Sequence, residues 1–195
     1  MKTMERKILK EGKVLPGGIL KVGSFLNQQI DTDFLVEMAD EVEWLYGDER
    51  ITKILTIETS GIALAVASGM ALGVPVTFAK KHRTSNVDGE AYTTVVHSFT
   101  HGEDYNVIVS KDYLGPKDKV LIIDDFLASG HALRGLIDLC NQAGAKIVGV
   151  VVAIEKCFQG GGDEIRSEGI RVEALAQIES MTDTEIKFRK QESRE

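Results

Sequence analysis

Two adjacent aspartates, Asp124 and Asp125, follow the apolar run Val120-Leu121-Ile122-Ile123 and precede the small residues Ala128-Ser129-Gly130, which lead through His131 and Ala132 into a helix-forming stretch. Paired carboxylates repel each other and add little to a strand end. They are well suited to holding a metal or to accepting hydrogen bonds from the hydroxyls of a sugar. Small residues opening a helix aim backbone N–H groups, the Ser129 hydroxyl and the positive end of the helix dipole at one spot, which suits an anion. Acids for a diol with an anion pocket a few residues on describe a ribose 5-phosphate. A second small-residue loop, Glu58-Thr59-Ser60-Gly61, also stands between an apolar run and an apolar helix, with helix capping by Ser60 as its simpler reading. The most basic cluster, Lys80-Lys81-His82-Arg83, ends a third apolar run and leads into a polar stretch over 84–89.

The elements that must position these residues read as alternating strands and helices. Apolar runs over 51–57, 74–79, 119–123, 147–154 and 171–177 predict strands. Helices are predicted over 61–72, over 130–143 with Gly144 as its stop, and over 163–168 after the Gly160-Gly161-Gly162 turn. Strands without polar faces, separated by helices, give an α/β fold: a mostly parallel sheet flanked by helices. Ligands of such sheets bind beyond the carboxyl ends of the strands, which is where 58–61, 80–83 and 124–132 fall. Ahead of the sheet, 1–12 predicts a charged helix and 14–25 an irregular stretch around Pro16-Gly17-Gly18. A second helix runs from an Asp31 cap to about Tyr46, with Phe34, Leu35, Met38, Val42, Leu45 and Trp44 on its buried stripe. Residues 92–100 and 105–110 pair as a hairpin, and the last dozen residues, rich in Lys, Glu and Arg, fray.

The run from Val120 to Gly130 resembles the phosphoribosyl diphosphate (PRPP) signature of type I phosphoribosyltransferases: four apolar residues, two acids, and a small Ser/Thr-Gly loop. The departure is His131, where many members have Gly or Thr; its imidazole is expected to point to solvent. The resemblance implies that Ala128, Ser129, Gly130, His131 and Ala132 bind the ribose phosphate and that Glu58, Thr59, Ser60 and Gly61 hold the pyrophosphate. It also implies that 80–89, with 92–100, forms a loop closing over PRPP. Across all 195 residues the resemblance is to the bacterial, xanthine-specific branch of that family. Segments 20–31 and 154–159 are similar to that branch's base-binding segments, which implies that Leu20, Asn27 and Lys156 contact the purine. The implied fold is one domain, with 1–48 and about 155–195 forming a hood over a PRPP-binding core at about 49–154. The implied reaction is xanthine plus PRPP giving xanthosine 5′-monophosphate and pyrophosphate, with Mg²⁺ bound alongside PRPP. The resemblance further implies that Asp124 and Asp125 anchor the ribose hydroxyls, directly or through water, as the catalytic pair. A homodimer is implied as well, with a loop residue such as Lys81 serving the neighbouring site.

Composition narrows the alternatives. With 23 basic and 30 acidic residues, a net charge of −7 and no basic stripe, the chain does not suit a nucleic-acid surface. The 18 uncharged residues from 61 to 78 contain three glycines and a proline, and a buried helix followed by a strand explains them better than a membrane span. The charged N-terminal stretch lacks the apolar core of a signal peptide. Cys140 and Cys157 have neither disulfide-framework nor zinc-site spacing, which predicts a reducing, cytoplasmic setting. A response-regulator receiver domain needs a further aspartate at another strand end, and Asp138 and Asp163 are not so placed. A P-loop nucleotidase needs GxxxxGK[ST], which the sequence lacks. A PRPP-sensing regulator on the same fold, or a transferase preferring guanine or hypoxanthine, remains as the alternative function. Asp124→Asn and Asp125→Asn are each expected to lower kcat/KM for PRPP, because an amide keeps volume but forfeits charge-assisted hydrogen bonds of roughly 1.5–3 kcal/mol. Wild-type kcat/KM in both variants would remove the ribose assignment.

Overall fold

The computed structural model describes residues 1–81, 90–98, 103–182 and 184–190. Helix α1 (Lys2–Glu11), strands β1 (Lys13–Leu15) and β2 (Ile19–Lys21), a π-helical turn over Gly23–Asn27 and helix α2 (Thr32–Tyr46) come first. There follow β3 (Lys53–Ile57), α3 (Gly61–Leu72), β4 (Val76–Ala79), β5 (Ala91–Ser98) and β6 (Glu103–Ser110). The chain continues as β7 (Lys119–Leu127), α4 (His131–Ala143), β8 (Lys146–Lys156), α5 (Gly161–Ser167), β9 (Val172–Met181) and β10 (Ile186–Phe188). The central sheet has the order β10-β9-β8-β7-β3-β4, parallel except for the antiparallel β10. β5 and β6 form a separate antiparallel hairpin, as expected, tied to β4 by a backbone bridge between Lys80 and Ile108.

Both sheet faces are buried, which explains the unbroken apolar runs of the central strands. Leu55, Ile122, Val150 and Val152 point to one side and pack with Leu133, Leu136 and Leu139 of α4 and Val96 and Val107 of the hairpin. Ile54, Leu121, Ile123 and Val151 alternate to the other side. There they meet Met4 and Ile8 of α1, Phe34, Met38 and Val42 of α2, and Leu64 of α3. Among the described residues no helix is long and apolar enough to cross a membrane, and α3 has 12 residues.

The helix boundaries follow the sequence signals closely. Asp31 caps α2 by accepting from the Phe34 N–H at 3.1 Å, and α4 ends on left-handed Gly144 (φ 67°). Five expectations need correction. The stretch 14–25, read as irregular, holds most of the paired strands β1 and β2 and leads into the π-helical turn. β7 continues past Ile123 to Leu127, because its pairing with β8 persists through Phe126↔Ile154 and Leu127↔Glu155, so both aspartates lie within the strand. Trp44 is 50% exposed: two residues from Val42 and two from Tyr46, it stands about 200° round the helix from either. The last strand extends to Met181, and the expected frayed tail contains β10, which completes the sheet edge. β4 starts at Val76, two residues later than read, since Pro75 offers its carbonyl to Ile54 but has no N–H to give. Of the expected closing loop, 82–89 and 99–100 lie outside the described residues, while Lys80 and Lys81 lie within them.

The glycine within β8 is dictated by close approach. A Cβ on Gly149 of β8 would overlap the hydroxyl of Tyr46. Tyr46 cannot step aside: it is fully buried, donates to the Val150 carbonyl at 3.3 Å and lies 4.2 Å beneath the Arg171 guanidinium. Gly149→Ala is expected to cost about 1–3 kcal/mol, and thermal unfolding should show a fall of several degrees in Tm. An unchanged Tm would mean that Tyr46 repacks freely.

Candidate active site

The site gathers around Asp124 in the second half of β7. Its carboxylate is 5% exposed, and Oδ1 accepts from the Asp125 N–H at 2.9 Å. The parallel strand β3 delivers Thr56 and the loop 58–61 beside it, and α3 begins there with Gly61. A Cβ on Gly61 would come 2.5 Å from Thr56 Oγ1 and 2.8 Å from Asp124 Oδ1, so only glycine lets the helix start approach the acid this closely. Thr56 Oγ1 is buried and has no hydrogen-bond partner among the described residues. Burial pushes the Asp124 carboxyl well above the ordinary aspartate range, and the negative charge of Asp125 pushes it further. The Asp125 N–H and the positive charge of Lys81 act in the opposite direction. Asp125 is itself half-buried and lies closer to solvent.

The loop after β3 and the residues after β4 hold each other. The Glu58 N–H donates to the Ala79 carbonyl at 3.0 Å, and Glu58 Oε1 accepts from the Lys81 N–H at 2.5 Å. Lys81 Nζ lies over the Tyr105 ring, 5.3 Å from its centroid, within electrostatic reach of Asp124. Ser60 makes no capping hydrogen bond to α3, which removes the capping explanation for it. The start of α3 therefore faces the site with small residues and no side-chain cap.

The loop 128–132 turns β7 into α4. Gly130 takes a left-handed conformation (φ 84°) as the last residue before the helix, which no side chain caps. Its other side is fixed by Gly161, whose N–H donates to the Ala128 carbonyl at 3.2 Å and whose Cα lies flat against Ser129 and Gly130. His131 does not point freely to solvent. Its Nδ1 is 2.6 Å from the Ser129 hydroxyl, and its ring meets His97 edge-on at 6.1 Å. His97 in turn contacts Asp104 at 2.7 Å, so the imidazole is drawn towards the β5–β6 hairpin.

Lys156 ends β8 half-buried, donating to the Gly18 carbonyl at 2.9 Å and lying 5.7 Å from the Phe126 ring centroid. Burial holds its ammonium below the ordinary lysine range. This bond draws the β1–β2 turn to the end of β8 and brings Leu20 with it. Leu20 is 6% exposed and belongs to the core with α1. Asn27 is exposed at the end of the π-helical turn, and among the described residues no side-chain hydrogen bond joins it to Lys156. Sequence reasoning overlooked Thr56, Tyr105, Phe126 and Gly161 as site neighbours. For Phe126 the signal was present, since it directly follows the acids; the other three arrive only through the fold.

The arrangement can bind an anion at two helix starts and a diol at the acids between them. Among the described residues no group of three or more His, Cys, Asp or Glu side chains could hold a metal ion. The two acids instead fit a hard cation that keeps most of its waters and arrives on a phosphate ligand.

The family model described as "Phosphoribosyl transferase domain" matches residues 28–173. A protein named xanthine phosphoribosyltransferase from Moorella thermoacetica is 50% identical over 188 residues, covering 96% of each chain. One of the same name from Bacillus cereus is 47% identical over 195 residues, covering 100% of this chain and 99% of that one. Among solved structures, the APRTase of Giardia lamblia, complexed with 9-deazaadenine, superposes with a TM-score of 0.76 at 24% identity, covering 91% of this chain and 98% of the other. The adenine phosphoribosyl transferase of Trypanosoma brucei, in complex with AMP, pyrophosphate and ribose-5-phosphate, gives 0.74 at 18% identity, covering 89% and 79%. These two likenesses bear on the fold alone.

The burial of Asp124 has a pH signature. Its folded pKa is raised above the ordinary 3.8, so the folded chain binds the proton more tightly than the unfolded one, and this residue's contribution to stability falls as pH rises above that value. Asp124→Asn removes the penalty while keeping the acceptor for the Asp125 N–H. The variant is expected to melt higher than its parent at pH 7, with the difference shrinking as pH falls towards 4. A variant that melts lower at every pH would contradict the assignment.

Proposed function

The chain belongs to the phosphoribosyltransferase family, and we propose that it transfers the 5-phosphoribosyl group of PRPP to N9 of xanthine, giving xanthosine 5′-monophosphate and pyrophosphate. The observation that carries this reading is the strand-turn-helix of β7 and α4, which sets Asp124 and Asp125 a few residues before an uncapped helix start. Relatives about half identical over nearly the whole chain, and named for xanthine, support the choice of base.

In this mechanism Ala128, Ser129, Gly130, His131 and Ala132 bind the 5-phosphate through the loop amides and the Ser129 hydroxyl. Glu58, Thr59, Ser60 and Gly61 receive the pyrophosphate, with Lys81 beside it. Asp124 and Asp125 accept hydrogen bonds from the ribose hydroxyls. As pyrophosphate departs, carbon 1 develops oxocarbenium character, and N9 closes the new bond while its proton leaves. Asp125, the more accessible carboxylate, is the acceptor this reading assigns to that proton. Catalysis is then positioning and charge stabilisation, with no side-chain nucleophile. Mg²⁺ carried by PRPP supplies charge neutralisation at the pyrophosphate, with Asp124 and Asp125 as the residues that would hold its waters.

Lys156 suits the 6-oxo group of the purine, being a donor with no acceptor capacity. Phe126 and Leu20 supply apolar surface around it, and Asn27 donates to the 2-oxo group. The N-terminal segment 1–48 and the chain from about 155 form the base-binding hood over a core at 49–154. The enzyme works as a homodimer in the cytoplasm, a setting that agrees with its two buried free cysteines.

Release of pyrophosphate from PRPP with xanthine tests the reaction directly. A panel of four purines tests the base contacts. Losing a matched donor costs about 1–3 kcal/mol, or roughly 5- to 150-fold in kcat/KM. Lys156→Met is expected to lose xanthine, guanine and hypoxanthine alike, whereas Asn27→Leu should lose xanthine more than hypoxanthine, which lacks the 2-oxo group. Equal losses in Asn27→Leu would make Asn27 a structural residue of its turn.

A further inference from the structure

Glu155 is the residue next to Lys156, yet it points to the opposite face of the sheet, where it is fully buried. Its carboxylate is saturated with donors. Arg166 of α5 clasps it with both terminal nitrogens, at 2.8 and 2.7 Å, and Gln177 of β9 donates to Oε2 at 2.9 Å. The Arg166 Nε donates to the Val172 carbonyl at 3.2 Å, fixing the guanidinium from a third side. Room for the carboxylate exists only because residue 162 is glycine: a Cβ there would overlap Glu155 Oε1. A buried ion pair built with this care is seldom required for stability, since apolar residues of similar volume commonly serve as well.

The other contacts of α5 suggest what the pair does. One end of this seven-residue helix is Gly161, packed against Ser129 and Gly130 with its N–H on the Ala128 carbonyl at 3.2 Å. Its outer side takes Arg134 of α4 through Glu164 at 3.1 Å and Glu168 at 2.8 Å. A displacement of α5 therefore reaches the 128–132 loop at one end and the end of β8, with Lys156, at the other. We propose that Glu155 and Arg166 are positioning residues, fixing through α5 the spacing between the base-contacting end of β8 and the phosphate loop. They touch neither substrate. The kinetic consequence rests on the function proposed above; the structural coupling does not.

The test uses the full chain with Arg166→Lys, which keeps the charge but loses the two-nitrogen clasp. Glu155→Leu combined with Arg166→Met replaces the pair by apolar side chains. In Arg166→Lys, hydrogen exchange at 128–132 and at 156–159 is expected to rise together, with 53–57 unchanged. KM for xanthine and for PRPP should both rise by roughly tenfold or more, with kcat changing far less. The apolar double variant should melt close to the parent and still show both raised KM values. Exchange that rises within α5 alone overturns the proposal, as do parental KM values in either variant. A parent that makes no xanthosine monophosphate sinks the reaction assigned above, and the exchange experiment then decides this inference by itself.

Discussion

A carboxylate kept almost wholly from water, with a second carboxylate beside it, is the condition that the rest of the site accommodates. Asp124 is held where it is by the pairing of β7 with β8, in which it lies opposite Val152. Its surroundings adjust instead. Position 61 is a glycine so that α3 can begin against the acid, Lys81 contributes opposite charge from beyond β4, and the Asp125 N–H binds the oxygen. Each of these lowers the cost of a negative charge without cancelling it. A ligand bringing hydroxyls and hydrated cation to this spot would complete what the protein leaves partly compensated.

Much of this was legible from residue order, for a definite reason. Strands buried on both faces carry few polar residues, so the first charges after 120–123 and 54–57 mark where the apolar cover of the sheet gives way. The small residues after them announce helix starts. The same logic misplaces the end of β7: polarity marks where burial by apolar neighbours ends, whereas pairing with β8 continues four residues further through Leu127. The hydrogen-bond ladder does not consult side chains. Trp44 was misread because hydrophobicity outweighed phase, and β10 because three residues in a charged tail, Ile186, Lys187 and Phe188, give too short a period to register.

What sequence could not supply was the company each residue keeps across the fold. Gly18 and Lys156 are separated by 138 positions and joined by one hydrogen bond. Ser129 and His131 lie together in the signature, but His97, which the imidazole meets edge-on, belongs to the hairpin. Neither pairing leaves a local pattern. The surroundings of Lys156 and His131 are thus specified by long-range packing, while the loops after β3 and β7 are specified by a few consecutive residues.

β10 has a bearing on solubility. A parallel sheet built by successive crossovers finishes with a bare outer strand, and β9 is ten residues long with a largely apolar sequence in its buried half. Unpaired, its N–H and C=O groups would form a template for any passing extended chain. The short return strand occupies the far part of that edge, from Ile178 to Met181, and the Arg189 N–H caps it on the Gln177 carbonyl at 2.8 Å. Charged side chains on and around this strand, Glu185, Lys187 and Arg189, then form the outermost rim. Losing these few residues would bare the backbone of β9 from Ile178 to Met181 to such pairing, although they lie on the far side of β8 from the paired acids of β7.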